Sequence, residues 1–232
     1  MTFNPPWYLG SEVDGGFAEY VVVAARHAWR IDSPLSDVEL ASFRCSYSTA
    51  ENMLIRAQVA AGDRVLVTGA SGGVGSAAVQ LCAARGAEVI AVTGEAKSAK
   101  VRRLGAELTL GREEKFVQAL GRNSVDVVLD LVVGEQWPGF LEVLRPGGRY
   151  AVSGAIGGAM VDLDVRTLYL KDLSLLGCTA LEPEAFSNLM AIIESGDIVP
   201  VVAATYRLER IADAQRAFQT KSHVGKLVLM VR

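Results

Sequence analysis

The sequence predicts an α/β protein built on a doubly wound parallel sheet, and three observations carry that expectation. Short runs rich in Val, Leu, Ile and Ala recur between residues 64 and 178 with little polar alternation, the pattern of strands buried on both faces. Segments with apolar residues at helical spacing separate these runs, as parallel strands joined by crossover helices require. A glycine-rich turn, Thr68-Gly69-Ala70-Ser71-Gly72-Gly73-Val74-Gly75, joins the first run to the first of these helices.

The elements follow in order. A strand is expected over 64–68, then a helix with its apolar face at Val74, Ala77, Ala78, Leu81 and Cys82. A strand at 88–92 precedes a helix at 96–104, which Gly105 is placed to end. Next come a strand at 107–110, a helix at 115–120, a strand at 125–130 and a helix at 136–144. Pro146-Gly147-Gly148 turns the chain into a strand at 149–153, and a further strand covers 173–178. The flanks read differently. Asp14-Gly15-Gly16 is a turn into a strand at 16–23. A helix at 209–219 and a strand at 226–231, which need not join the central sheet, complete a second, smaller subdomain built from the two chain ends. The expected divisions are 1–36, 37–182 and 183–232.

Composition removes several alternatives. With 232 residues, half of them hydrophobic, and a net charge of -3, the chain is neither disordered nor equipped to collect nucleic-acid phosphates. Cys45, Cys82 and Cys178 are far apart, as are His27 and His223, so no disulfide framework or metal-ligand spacing is visible, and neither histidine receives a catalytic role. A cytoplasmic location is the expectation. Residues 65–84 carry no charge, but the four glycines and the change of period inside them mark a turn between buried elements, not a membrane span. Residues 1–6 lack the basic and apolar regions of a signal peptide.

The strand–glycine turn–helix context makes the turn informative. Glycines there allow a tight turn and close backbone approach to a pyrophosphate, while the helix N-terminus offers free N–H groups to the anion. Read as T-G-x-x-x-G-x-G, the turn resembles that of short-chain dehydrogenases. More than sixty residues precede it, however, and no tyrosine has a lysine four residues on. Read as Ala70-Ser71-Gly72-Gly73-Val74-Gly75, it resembles the medium-chain dehydrogenase/reductase superfamily, especially the quinone-oxidoreductase-like branch. Further segments match that superfamily in order: Asp14-Gly15-Gly16-Phe17-Ala18-Glu19-Tyr20, Cys45-Ser46-Tyr47-Ser48-Thr49-Ala50, Leu104-Gly105-Ala106, Leu144-Arg145-Pro146-Gly147-Gly148 and Gly225-Lys226-Leu227.

The resemblance implies a Rossmann domain at 37–182, preceded by the remnant of a GroES-like catalytic domain and followed by a segment returning to it. It implies an oxidoreductase moving a hydride between nicotinamide and a carbonyl, alcohol, quinone or enone, active as a homodimer in which the strand at 173–178 pairs across a two-fold axis. The alternative is a shortened chain that binds dinucleotide without turnover. By resemblance, Ala70, Ser71, Gly72, Gly73, Val74 and Gly75 hold the phosphates. Val132, Gly154, Ala155 and Ile156 line the channel toward the nicotinamide, and Lys226 lies near its end. The strand at 88–92 ends Ala91-Val92-Thr93-Gly94, with no acid at that end for ribose hydroxyls. Lys97 matches a lysine that meets a 2′-phosphate, with Thr93 as a second donor, so NADP is expected over NAD, with Glu95 facing solvent. Cys45 matches the third ligand of a catalytic zinc whose other ligands the chain does not supply. Zinc is therefore not expected, and the competing reading of Cys45 is a small buried helix cysteine.

Overall fold

A computed structural model describes residues 8–231; the signal-peptide reading of residues 1–6 lies outside them. Six parallel strands form the central sheet: β1 (Arg64–Val67), β2 (Glu88–Val92), β3 (Leu108–Leu110), β4 (Val125–Asp130), β5 (Leu144–Val152) and β6 (Ser174–Gly177). Their order is β3-β2-β1-β4-β5-β6, so the chain winds outward from β1 in one direction and, after β3, from β4 in the other. The reversal lies between β1 and β4, where Val67 pairs with Ala91 on one side and Leu129 on the other.

The uncharged stretch at 65–84 resolves into β1, the glycine turn and helix α3 (Gly73–Ala84). Helices α1 (Asp37–Phe43) and α2 (Ser46–Arg56) precede β1. Ser36 caps α1 through a capping box with Glu39, satisfying amides that the helix itself leaves free. One apolar layer, including Met53, Leu54, Val79 and Leu81, sits between α2, α3 and the sheet. The other, including Leu66, Phe116, Phe140 and Tyr150, lies under α5 (Phe116–Leu120) and α6 (Trp137–Val143). Between α3 and α5 runs α4 (Glu95–Arg103), closed by Gly105 at φ +115°, where a Cβ would stand 2.6 Å from that of Ala83.

β5 starts earlier than expected. Leu144 already pairs with Val125, after which residues 145–148 loop out before Arg149 pairs with Val127. The Pro-Gly-Gly turn is thus a bulge inside the strand, a position that tolerates a proline without an N–H. Beyond β5 come α7 (Val165–Leu170), the edge strand β6 and α8 (Pro183–Ser195). The chain ends in a separate parallel pair, β7 (Val202–Arg207) and β8 (Lys226–Met230), with α9 (Ile211–Gln219) between them. β8 stays out of the central sheet, in keeping with the sequence reading.

The strand expected at 16–23 does not form. Phe17, Tyr20 and Val22 are 71%, 82% and 95% exposed, and no described segment pairs with this stretch. Its β-branched and aromatic residues favour a strand, but a strand exists only with a ladder partner. Among the described residues no helix is long and apolar enough to cross a membrane.

Tyr47, 1% exposed, is among the largest fully buried side chains of the described residues, and its hydroxyl accepts a 2.8 Å hydrogen bond from Gln80. Burial pushes the phenol from 10.0 up to about 12, with the Gln80 bond pulling slightly back. The unfolded phenol ionises near pH 10, so this contribution is intact below that pH. It is lost as pH climbs toward 12, at about 1.4 kcal/mol per pH unit. Urea unfolding between about pH 9 and pH 12 should show a shallower alkaline loss in Tyr47→Phe than in the parent; equal slopes would refute the assignment.

Candidate functional site

At the C-terminal ends of β1 and β4 lies a buried polar hub. Asp130, fully buried, accepts hydrogen bonds from Thr68 Oγ1 and Tyr150 Oη, each 2.5 Å, and from the Val132 and Val133 amides at 2.8 and 3.1 Å. Thr68 Oγ1 in turn accepts from the Leu131 amide. One carboxylate therefore joins the ends of β1, β4 and β5 and shapes the loop that leaves β4. Burial, and then the Asp130 charge, push the Tyr150 phenol upward, so it stays a donor. Val133 sits at φ +59°, a left-handed conformation unusual for a β-branched residue, and both Asp130 carboxylate oxygens face its amide.

Above this hub opens a cleft of about 980 Å³. Its floor is the glycine turn. Gly69 adopts φ +57°, and a Cβ on Gly75 would stand 2.2 Å from the Gly69 carbonyl oxygen, so the turn closes only with glycine at 75. Gly72 caps α3 without any side chain, which leaves the first α3 amides, at Gly73 and Val74, facing the cleft without carbonyl partners from their own helix. A Cβ on Gly73 would meet Ser46 Oγ at 2.6 Å and Lys226 Cδ at 2.9 Å. Lys226 thus crosses the N-terminus of α3, its Nζ donating to Ser46 Oγ at 3.0 Å. Burial pushes this ammonium below its ordinary range, and nearby Cys45 acts in the opposite sense.

At the far end, Thr93 is 2% exposed, and its Oγ1 has no hydrogen-bond partner among the described residues. Lys97, Arg112, Lys221 and His223 line the same end. Lys97 Nζ donates to the Lys221 carbonyl oxygen, and Lys221 Nζ lies 3.7 Å from the Phe218 ring centre. Lys97, Arg112 and Lys221 form no ion pair among the described residues. Burial, then Arg112 and Lys221, push the Lys97 ammonium downward.

Most residues singled out in the sequence meet here. Ser71, Gly72, Gly73, Val74, Thr93, Lys97, Val132, Ile156 and Lys226 line the cleft. Ala70 and Gly75 are buried beneath it. Gly154 and Ala155 are not on its walls: Gly154 packs against the Leu131 carbonyl, and Ala155 is exposed. Glu95 is exposed, as expected. Cys45 is not the small buried cysteine of the competing reading. It is exposed and forms the N-cap of α2 at φ +64°, because the chain must bend sharply between α1 and α2. No group of three or more His, Cys, Asp or Glu side chains able to hold a metal occurs among the described residues, so Cys45 there has no set of co-ligands. Arg112 and Lys221 escape the sequence reading, and His223 receives no role in it, since only folding brings the β3–α5 and α9–β8 loops together.

A doubly wound parallel sheet with a glycine turn and a free helix N-terminus at its reversal point is the architecture of a Rossmann-type domain. The family model for zinc-binding dehydrogenases matches residues 73–195, and the chain belongs to this family, within the medium-chain dehydrogenase/reductase superfamily. Human quinone oxidoreductase is 30% identical over 238 residues, covering 97% of this chain and 72% of its own length. A crystal structure from Sinorhizobium meliloti 1021, provisionally assigned as an alcohol dehydrogenase, is 45% identical with a TM-score of 0.90. The match covers 96% of this chain and 63% of that one. An NAD-dependent alcohol dehydrogenase is 30% identical with a TM-score of 0.88 over 97% of this chain and 68% of its own. The 2-octenoyl-CoA carboxylase reductase CinF, solved with NADP and 2-octenoyl-CoA, is 32% identical with the same TM-score over 95% of this chain and 56% of its own.

The hub makes a direct prediction. Removing the carboxylate in Asp130→Ala strands the Thr68 and Tyr150 hydroxyls, and hydrogen bonds to a charged group are each worth about 1.5–3 kcal/mol. The variant should lose at least about 3 kcal/mol in urea unfolding at neutral pH. A variant as stable as the parent would show that the hub contributes nothing.

Proposed function

We propose that the chain binds NADP(H) in this cleft and serves an oxidoreductase of the medium-chain alcohol dehydrogenase and quinone reductase type. The observation that carries the reading is a shared cleft: an uncapped α3 N-terminus at one point, and at another an unpartnered buried Thr93 hydroxyl beside cations without carboxylate partners. The first suits a pyrophosphate; the second suits a 2′-phosphate on the adenosine ribose. No acid ends β2 to receive the ribose hydroxyls of NAD.

When bound, the nicotinamide supplies or accepts the hydride at its C4 carbon. In this reading the α3 amides hold the pyrophosphate and Lys226 adds a positive charge beside it. Val132 and Ile156 give the channel apolar walls. Thr93, Lys97 and Arg112 hold the 2′-phosphate. The reacting partner is a carbonyl, alcohol, quinone or enone.

Lys97→Ala should weaken NADPH binding by about 1.5–3 kcal/mol, the range for hydrogen bonds to a charged group, and leave NADH binding unchanged. Fluorescence titration of the nicotinamide measures both, and an equal loss for NADH would remove Lys97 from the 2′-phosphate site.

Binding without turnover is the second reading. It is favoured by the exposed position of Ile156 on the cleft wall. Holding a carbonyl against the ring can lower the barrier by roughly 7–11 kcal/mol, and an open wall cannot supply that orientation. The 232-residue chain should therefore oxidise NADPH with quinone, aldehyde or enone acceptors no faster than the uncatalysed background. An ordinary enzymatic rate would refute this and place a complete active site on the chain.

A further inference from the structure

The loop between α9 and β8 folds over the cation-rich end of the cleft, and its one imidazole, His223, lines the wall there. The charged groups around it come from three places: Lys97 from α4, Arg112 from the loop after β3, and Lys221 from its own loop. Its ring is tilted 40° to that of Phe218 at 5.8 Å, the same ring that carries the Lys221 ammonium. Glu113 and Glu135 also line the cleft, but neither forms an ion pair with the imidazole among the described residues. Thr93, whose buried hydroxyl has no partner among the described residues, lines the same cleft.

We propose that His223 is a pH-dependent ligand of the cofactor's 2′-phosphate, tightening NADP(H) binding, and not NAD(H) binding, as pH falls through neutrality. The inference rests on the NADP(H) reading and deepens it. In the free chain, burial and then the Lys97 and Lys221 charges hold the imidazole below its ordinary range, which favours its uncharged form. A phosphate dianion placed among these cations reverses the local field and favours the imidazolium, which then donates to a phosphate oxygen. Binding therefore takes up a proton. The sign follows from linkage: affinity is level above the bound-state pKa, rises as pH falls through it, and levels again below the free-state pKa. Protonation of the phosphate itself, near pH 6, acts in the opposite direction, so the effect belongs to the interval above it.

The test titrates the full chain and His223→Gln with NADPH and with NADH at about pH 8.0, 7.2 and 6.5, following nicotinamide fluorescence. Histidine C2-proton NMR of the same samples reads the imidazole directly, with His27 as the internal control. Expected are a rise in NADPH affinity on the order of fivefold across the interval and level NADH affinity. The His223 titration should move upward on NADPH binding, and the slope should vanish in His223→Gln. A preference for NADPH with no pH dependence, or with a slope that survives in His223→Gln, overturns the role of His223 and leaves the NADP(H) reading standing. No preference for NADPH at any pH overturns both.

Discussion

Everything at the cleft depends on the buried carboxylate of Asp130. Placing an ionised group where the sheet reverses costs several kcal/mol of desolvation unless hydrogen bonds replace the lost water, and Asp130 receives them from two hydroxyls and two amides. Those donors come from the residue that follows β1, from β5 and from the loop after β4. The carboxylate thus fixes the relative heights of three strand ends, and the loop that walls the cleft follows from it. The left-handed conformation of Val133 costs of order 1–3 kcal/mol, and the amide bonds to Asp130 offset that cost.

The second constraint is the close approach of the chain's C-terminal unit to α3. Lys226 on β8 packs its stem where a side chain at Gly73 would stand, and the Gly225 amide donates to the Ser71 carbonyl. The glycine turn is therefore shaped for two neighbours at once: Ser71, Gly72, Gly73 and Val74 line the cleft, and the missing side chain at Gly73 admits β8. Few substitutions at Gly73 can satisfy both, because either Ser46 or Lys226 would have to move.

The central sheet was legible because its strands are buried on both faces, so apolar runs such as 64–68 and 125–130 admit few other readings. The turn and most of the residues expected on it meet on the cleft. What escaped the sequence is what depends on partners. β7 alternates exposed and half-buried positions over Val-Ala-Ala-Thr-Tyr-Arg, which carries too little apolar contrast to read as a strand. The stretch at 16–23 carries that contrast but has no ladder to join. Arg112 and His223 are separated by more than a hundred residues, and nothing in either neighbourhood marks them as one cluster. Cys45 reads as a core residue by type, yet the bend before α2 puts it at the surface.

The electrostatics of the cleft have a common device. Lys97 is held by the Lys221 carbonyl oxygen, Lys226 by the Ser46 hydroxyl, and Lys221 by the face of the Phe218 ring. Each acceptor is neutral. A carboxylate in any of these places would fix the ammonium equally well but cancel its charge, and an arriving phosphate would then have to displace an anion. Neutral acceptors keep the lysines ordered while leaving their field uncompensated, so an anion gains the full attraction without first breaking an ion pair. Desolvation by the same packing pushes Lys97 and Lys226 below their ordinary range. That cost stands in the free chain and is relieved when negative charge enters the cleft, which favours occupancy by an anion over a neutral ligand of the same shape.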